Sequence, residues 1–145
     1  MTKMFRTLLA AAIATAALTA GGSAFADMTA FRATLSAAQE VPPNPSAATG
    51  AFEVVWDATT RTIAYKGRYA GLTGPATAAH IHGPAEKGAN AGVLVPLAAT
   101  ASPFEGTATL TEAQAADLVA GRLYVNVHTA AHPAGEIRGQ LGKAE

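Results

Sequence analysis

The segment AFEVVWDATTRTIAYKGRY, residues 51–69, decides the fold class, because its apolar side chains recur at every second position. The period of two runs from Phe52 to Trp56 and resumes at Ile63, after a turn at residues 57–60. A period of two is typical of a half-buried β-strand, and two such runs joined by a short turn indicate a β-hairpin. The segment therefore predicts a hairpin whose large side chains lie in a core.

The rest of the chain repeats this pattern, apart from one helix. Thr111 and Gln114 match a capping box that starts the helix, and Gly121 ends it. We predict an all-β fold, a Greek-key-like β-sandwich of seven or eight strands with one short helix and a superoxide-dismutase- or immunoglobulin-like architecture. Further strand candidates, separated by Gly and Pro, lie at residues 28–36, 76–82, 92–98, 105–110, 122–128 and 136–141.

The first 26 residues have the pattern of a secretory signal peptide. Lys3 and Arg6 provide positive charge, residues 8–20 form a short apolar run, and Ala-Phe-Ala at residues 24–26 fits a cleavage site. The apolar run is shorter than the ~20 residues that cross a bilayer. We expect one mature domain at residues 27–145, a periplasmic or secreted location, and no membrane span.

Composition argues against several classes of function. The chain has no cysteine, which removes thiolate metal sites, disulfides and cysteine nucleophiles. Beyond residue 26 it carries eight basic and ten acidic residues without a basic patch, so no nucleic-acid partner is predicted. It also lacks the Gly-x-Ser-x-Gly elbow of serine hydrolases and the glycine-rich loops that bind phosphate.

All four histidines lie in two short segments. His80 and His82 belong to AHIHGP, and His128 and His132 belong to VHTAAHP. Two histidines at i and i+2 of a strand share a face, and the loop after His128 can return to the end of that strand. Because imidazole is the commonest neutral metal ligand, we predict that these four side chains hold one metal ion.

The chemistry of these ligands narrows the choice of metal. Imidazole nitrogen without thiolate or carboxylate, in an exported chain, favours copper, with zinc as the alternative. Glu136 and Glu86 are near enough in sequence to be ligands or hydrogen-bond acceptors that orient the rings, and Asn126 is a candidate for the same orienting role. The favoured interpretation of Tyr124 and Asn126, however, is an ordinary solvated strand face. Glu40, in a proline-rich loop, is expected to be a loop hydrogen-bond acceptor.

Five motifs, in order along the chain, resemble the chordin-type (CHRD) domain family. The resemblance covers nearly all of residues 27–145 and implies a β-sandwich. The family occurs within the secreted animal growth-factor antagonist chordin and as single exported bacterial domains, and the histidine motifs are among its hallmarks. The motifs are LSAAQEVPP at 35–43, ATG at 48–50, AHIHGP at 79–84, YVNVHT at 124–129 and PAGEIRGQ at 133–140.

Three functions are compatible with these features. The first is an exported copper-binding protein for buffering, delivery or resistance. The second is a non-enzymatic adhesion or protein-interaction module, with structural histidines and a protein partner on a sheet face. For the metal-binding function, an outward-facing histidine cluster could also be shared between the two copies of a homodimer. The third is a redox enzyme similar to copper/zinc superoxide dismutase, although the acidic zinc-binding loop and the disulfide of that enzyme are absent. An enzymatic function is the less favoured interpretation.

Overall fold

The structure is a computed structural model that describes residues 27–99 and 101–145, so the predicted signal peptide lies outside the described residues. These residues form nine strands and one α-helix, which confirms the all-β prediction. A short 3-10 turn spans Ala37–Gln39. The elements are β1 Met28–Ser36, β2 Thr49–Asp57, β3 Thr62–Ala70, β4 Ala76–His82, β5 Val93–Leu97, β6 Phe104–Thr109, α1 Glu112–Val119, β7 Tyr124–Thr129, β8 Ile137–Gln140 and β9 Gly142–Lys143.

The strands form one antiparallel, nearly closed sheet. Its order is β5-β4-β7-β8-β1-β2-β3-β6, and β9 also pairs with β1. The ninth strand, one more than the sequence predicts, arises because Gly142 and Lys143 pair with Arg32 and Phe31 beyond the single β1–β8 bridge. This order places β4, β7 and β8 side by side, although a long stretch of chain separates β4 from β7.

The hairpin of β2 and β3 supplies much of the core, as its period of two predicts. Val54 pairs with Tyr65 and Trp56 with Ile63, and all four side chains are buried. The ring of Phe52 lies 5.7 Å from that of Tyr65 in a stacked arrangement. Each such large apolar side chain contributes about 1.5–3 kcal/mol on burial, so this face provides a large share of the folding free energy.

Helix α1 begins and ends as the sequence predicts. Thr111 Oγ1 accepts a hydrogen bond from Gln114 N at 3.2 Å, and Gln114 Oε1 accepts one from Thr111 N at 2.9 Å. Leu118 is buried in the core, and Gly121 adopts a φ of +73° just after the helix. No helix among the described residues is long and apolar enough to cross a membrane.

Strands β4 and β7 turn their apolar side chains to the core and their polar side chains to the opposite face. Ile81, Val125 and Val127 are fully buried in the core. Because side chains alternate along a strand, the neighbouring positions share the other face. Those positions are His80 and His82 on β4 and Tyr124, Asn126 and His128 on β7.

Candidate metal centre

Three of the four histidines come together on this face. The register pairs His80 with Asn126, His82 with Tyr124 and Ala78 with His128, so His128 lies diagonally across from His80. One ring nitrogen of each of His80, His82 and His128 lies within 4.8 Å of the others. The group can hold a metal ion, and the geometry does not identify which metal.

His80 and His128 have the spacing of two ligands on one ion. His80 Nδ1 lies 3.1 Å from His128 Nε2. With metal–nitrogen bonds of 2.0–2.1 Å, two cis ligands are about 2.9–3.4 Å apart. His128 Nδ1 donates a hydrogen bond to the Pro133 carbonyl at 3.0 Å, so the lone pair of its neutral ring is on Nε2. The loop after β7 thereby fixes the tautomer that points to His80.

His82 is held more tightly than the other two rings and is only 8% exposed. Its ring lies parallel to that of Tyr124, with centroids 4.8 Å apart. Its Nδ1 lies 3.0 Å from the Ala91 carbonyl oxygen, and its Nε2 lies 2.9 Å from Asn126 Oδ1. Both ring nitrogens therefore have protein partners.

The environment favours the neutral form of two of the histidines. Burial lowers the pKa of His80, and the neighbouring His128 and His82 lower it further. Burial also lowers the pKa of His82 and outweighs the hydrogen bonds to Ala91 and Asn126, which raise it. A metal ligand must be a neutral imidazole, so these shifts extend the pH range in which the two rings can bind an ion.

Tyr124 and Arg138 form a buried stack on one face of the His82 ring. The guanidinium carbon of Arg138 lies 3.4 Å from the centre of the Tyr124 ring, and Tyr124 stacks on His82. Arg138 donates to the Ala89 carbonyl at 2.6 Å and to Asn90 Oδ1 at 3.0 Å, which ties the loop of residues 83–92 over the stack.

The expectation of a solvated face for Tyr124 and Asn126 is therefore wrong. Both side chains are buried, because the loop of residues 83–92 covers Tyr124 and the loop after β7 covers Asn126. Their burial depends on contacts between distant segments, which the local strand pattern does not reveal. Asn126 contacts His82 at its Nε2.

The structure does not place His132 or Glu86 with the other histidines. His132 lies in the turn after β7, where its backbone N–H donates to the Thr129 carbonyl at 3.2 Å. Its side chain instead lines a cavity of about 200 Å³ beside the proline-rich loop of residues 40–44. Glu86 is exposed and is not part of the histidine group.

Glu136 is also directed away from the histidines. Its Oε1 accepts hydrogen bonds from Ser46 Oγ at 2.6 Å and Thr73 N at 2.9 Å. Its Oε2 accepts from Thr73 Oγ1 at 2.9 Å and Thr129 Oγ1 at 2.7 Å. Four donors satisfy this fully buried carboxylate. It thereby links three loops of the chain, and it bonds to no histidine ring of the candidate centre.

Glu40 is a buried carboxyl whose position the sequence did not reveal. It is 5% exposed, and its Oε1 accepts no hydrogen bond from any described residue. Burial raises its pKa to about 7, although the charge of Arg138, the Asn126 side chain and the Val41 backbone N–H lower it. The only hint in the sequence is an acidic residue directly before the apolar Val41-Pro42-Pro43 run.

One protein-family model matches most of the chain and covers the residues described above. The sequence model of the CHRD domain matches residues 31–141. The chain belongs to the CHRD domain family. No curated protein and no solved structure matches the chain. The matched part of this CHRD domain contains the three clustered histidines, Asn126 and both buried glutamates.

Proposed function

We propose that this CHRD domain is an exported metal-binding protein that holds one ion through His80, His82 and His128. The observation that carries the proposal is the 3.1 Å separation of His80 Nδ1 and His128 Nε2, with the His128 tautomer fixed by Pro133. The His128 lone pair points toward His80 Nδ1, which supplies a second lone pair when His80 is protonated at Nε2, and His82 is within reach as a third ligand. Buffering, delivery or resistance are the roles such a site would serve.

Copper is the proposed ion, with zinc as the alternative. The clustered ligands are imidazoles alone, and divalent copper binds nitrogen ligands more strongly than the other first-row divalent ions do. The proposed export is supported by the charged start, apolar run and cleavage pattern of the first 26 residues. We favour metal binding over superoxide dismutase-like catalysis. Such an enzyme needs a cationic group that guides the anionic substrate, and the guanidinium of Arg138 is instead hydrogen-bonded to the loop of residues 83–92.

A protein-interaction module with structural histidines is the second candidate. One observation favours it: 3.1 Å is also a normal length for a hydrogen bond from His80 Nδ1–H to His128 Nε2. In that case the two neutral rings would satisfy each other, and the loop after β7 would be held in place without an ion.

Metal titration distinguishes the two candidates. Purified protein of residues 27–145 is titrated with Cu²⁺ and Zn²⁺ in competition with a chelator, and its melting temperature is followed in parallel. We expect saturation at about one ion per chain, together with a rise in melting temperature. His80→Ala and His128→Ala should each weaken binding by at least ~10-fold, because each removes a ligand.

His132→Ala is the matched control, because it removes a histidine from the same loop but outside the clustered group. It should leave the affinity within a factor of ~2 of the parent protein, a change too small to reflect the loss of a metal bond. A folded protein that shows no saturable binding of either ion would favour the interaction module. A large loss in His132→Ala would show that the loop delivers this side chain to the ion.

A further inference from the structure

Asn126 occupies the nitrogen of His82 that a metal ion needs. The Ala91 carbonyl oxygen, 3.0 Å from Nδ1, can only accept a hydrogen bond, so Nδ1 carries a proton. The lone pair of a neutral ring is then on Nε2, which lies 2.9 Å from the amide of Asn126. A third metal–imidazole bond must therefore form at Nε2.

The Asn126 amide blocks this nitrogen in either of its two orientations. With its NH₂ group toward the ring, Asn126 donates a hydrogen bond to the Nε2 lone pair. With Oδ1 toward the ring, Nε2 must carry a second proton, and no lone pair is left for a metal. The structure places Oδ1 toward the ring and Nδ2 toward the Ala134 carbonyl oxygen at 3.5 Å. The two ends of an amide have nearly the same shape, so in either orientation the side chain occupies the approach to Nε2.

The surroundings hold the amide against His82. Asn126 is buried, and its Nδ2 and the Glu40 carboxyl both pack against Gly135. A Cβ atom at Gly135 would lie 2.7 Å from Nδ2 and 2.3 Å from Glu40 Oε1, so it would push both side chains aside. The φ of Gly135 is +128°, which also disfavours any other residue. Rotation of the amide away from His82 would break its contacts with the Ala134 carbonyl and with Glu40.

We propose that Asn126 is a built-in competitor for the metal ion at His82, held in place by Glu40 and Gly135. In the resting protein His80 and His128 contact only each other at these nitrogens, whereas the third ligand becomes free only when Asn126 releases Nε2 of His82. This inference rests on the proposed function and adds to it a residue that limits affinity. A site that gives up part of its affinity in this way is suited to release its ion to a partner.

The test compares the Zn²⁺ affinity of the parent protein with that of four variants, since Zn²⁺ avoids redox changes. Asn126→Ala removes the competing amide and should bind Zn²⁺ about 3- to 10-fold more tightly, the ratio that corresponds to one buried hydrogen bond. His82→Ala with and without Asn126→Ala should show the same affinity, because the competitor acts only through His82. Gln114→Ala is the control: it removes a partly buried amide at the start of helix α1, away from the histidines and from both loops, and should leave Zn²⁺ affinity unchanged.

A spectroscopic readout keeps the test independent of the stability of the variants. In ¹H–¹⁵N spectra of the parent protein, one equivalent of Zn²⁺ should shift both the His82 Nε2 signal and the Asn126 side-chain amide signals. Bound Zn²⁺ that leaves the Asn126 amide signals in place would overturn the inference. So would an Asn126→Ala protein that binds Zn²⁺ no more tightly than its parent, while the proposed function would stand. A folded parent protein that binds neither Zn²⁺ nor Cu²⁺ would refute the proposed function, and this inference with it.

Discussion

Glu136 and Glu40 are both buried carboxyl groups beside the loop after β7, and their surroundings differ. Glu136 accepts four hydrogen bonds from Ser46, Thr73 and Thr129. Burial raises its pKa, but these hydrogen bonds outweigh burial and leave the pKa below its usual value. Glu40 has one oxygen without a hydrogen-bond partner among the described residues, and its pKa is raised to about 7.

The difference shows that the number of donors, rather than burial alone, decides what a buried carboxyl does. A carboxylate with four donors stabilises the fold, because its charge is compensated and three loops depend on it. A carboxyl with too few donors costs stability when it is ionised, and perturbed carboxyls of this kind cluster at functional sites. Glu40 lies beside Asn126, next to the candidate metal centre, whereas Glu136 lies away from it.

The largest expected effect is the loss of the Glu136 charge. Glu136→Gln keeps the shape of the side chain but places an NH₂ group among donors, so it should destabilise the protein by about 3 kcal/mol in urea unfolding at pH 7. Because the pKa of Glu136 is lowered in the folded protein, its contribution is present above the ordinary carboxyl pKa and is lost as pH falls through the folded value. The difference in unfolding free energy between the parent and Glu136→Gln should therefore become smaller as the pH falls. An unchanged stability at pH 7 would contradict the role assigned to Glu136.

The same substitution at Glu40 should have the opposite sign. The pKa of Glu40 is raised from 4.5 to about 7, so the folded protein binds a proton more tightly than the unfolded chain does. The resulting cost is absent below pH 4.5, grows as pH rises to about 7, and is complete above it. The full shift corresponds to about 3 kcal/mol, and solvent near the loop reduces this to about 2. Glu40→Gln should therefore be about 2 kcal/mol more stable than the parent at pH 8 and nearly equal to it at pH 4.5.

Glu86→Gln is the control for this measurement, because it removes an exposed carboxylate of the same type. The difference in unfolding free energy between Glu86→Gln and the parent should stay small and nearly constant across the same pH range. A Glu40→Gln protein that is less stable than the parent at pH 8 would show that hydrogen bonds stabilise the Glu40 carboxylate. The contrast between Glu40 and Glu136 would then be wrong. The experiment uses urea unfolding of the metal-free proteins at several pH values.

The smallest expected effect is the loss of one of the four hydrogen bonds that the Glu136 carboxylate accepts. Ser46→Ala removes the 2.6 Å hydrogen bond to Oε1 and should cost about 1 kcal/mol. Thr59→Ala is its matched control, because Thr59 Oγ1 also donates to a carboxylate, that of Asp27, but at an exposed position. This control should change the stability much less, since exposed contacts between polar groups contribute little. Equal losses in the two variants would show that burial does not strengthen the hydrogen bond.

Much of the fold follows from local patterns in the sequence. The period of two predicted the hairpin and the other main strands, and the capping box of Thr111 and Gln114 predicted the start of helix α1. The face shared by His80 and His82 also follows from alternation on one strand. These features depend on neighbours within a few residues, so a single sequence is enough to find them.

The rest depends on which distant segments meet. Glu136 was a candidate partner for a ring, and its carboxylate instead meets hydroxyls from residues 46, 73 and 129. Asn126 is buried because two loops close over its strand, and Glu40 because the proline-rich loop folds against Gly135. His132 follows a turn whose direction the sequence leaves open. Ligation by any of the histidines stays a prediction until an ion is observed.

The most direct test is a crystal structure of the copper-loaded protein, with anomalous diffraction recorded above and below the copper absorption edge. The account predicts one strong peak per chain, at about 2.0–2.1 Å from His80 Nδ1 and His128 Nε2, with His82 as the third ligand. His132 should have no contact with the peak. A peak elsewhere on the protein, or no peak at these histidines in crystals whose copper content is one per chain, would contradict the proposed centre.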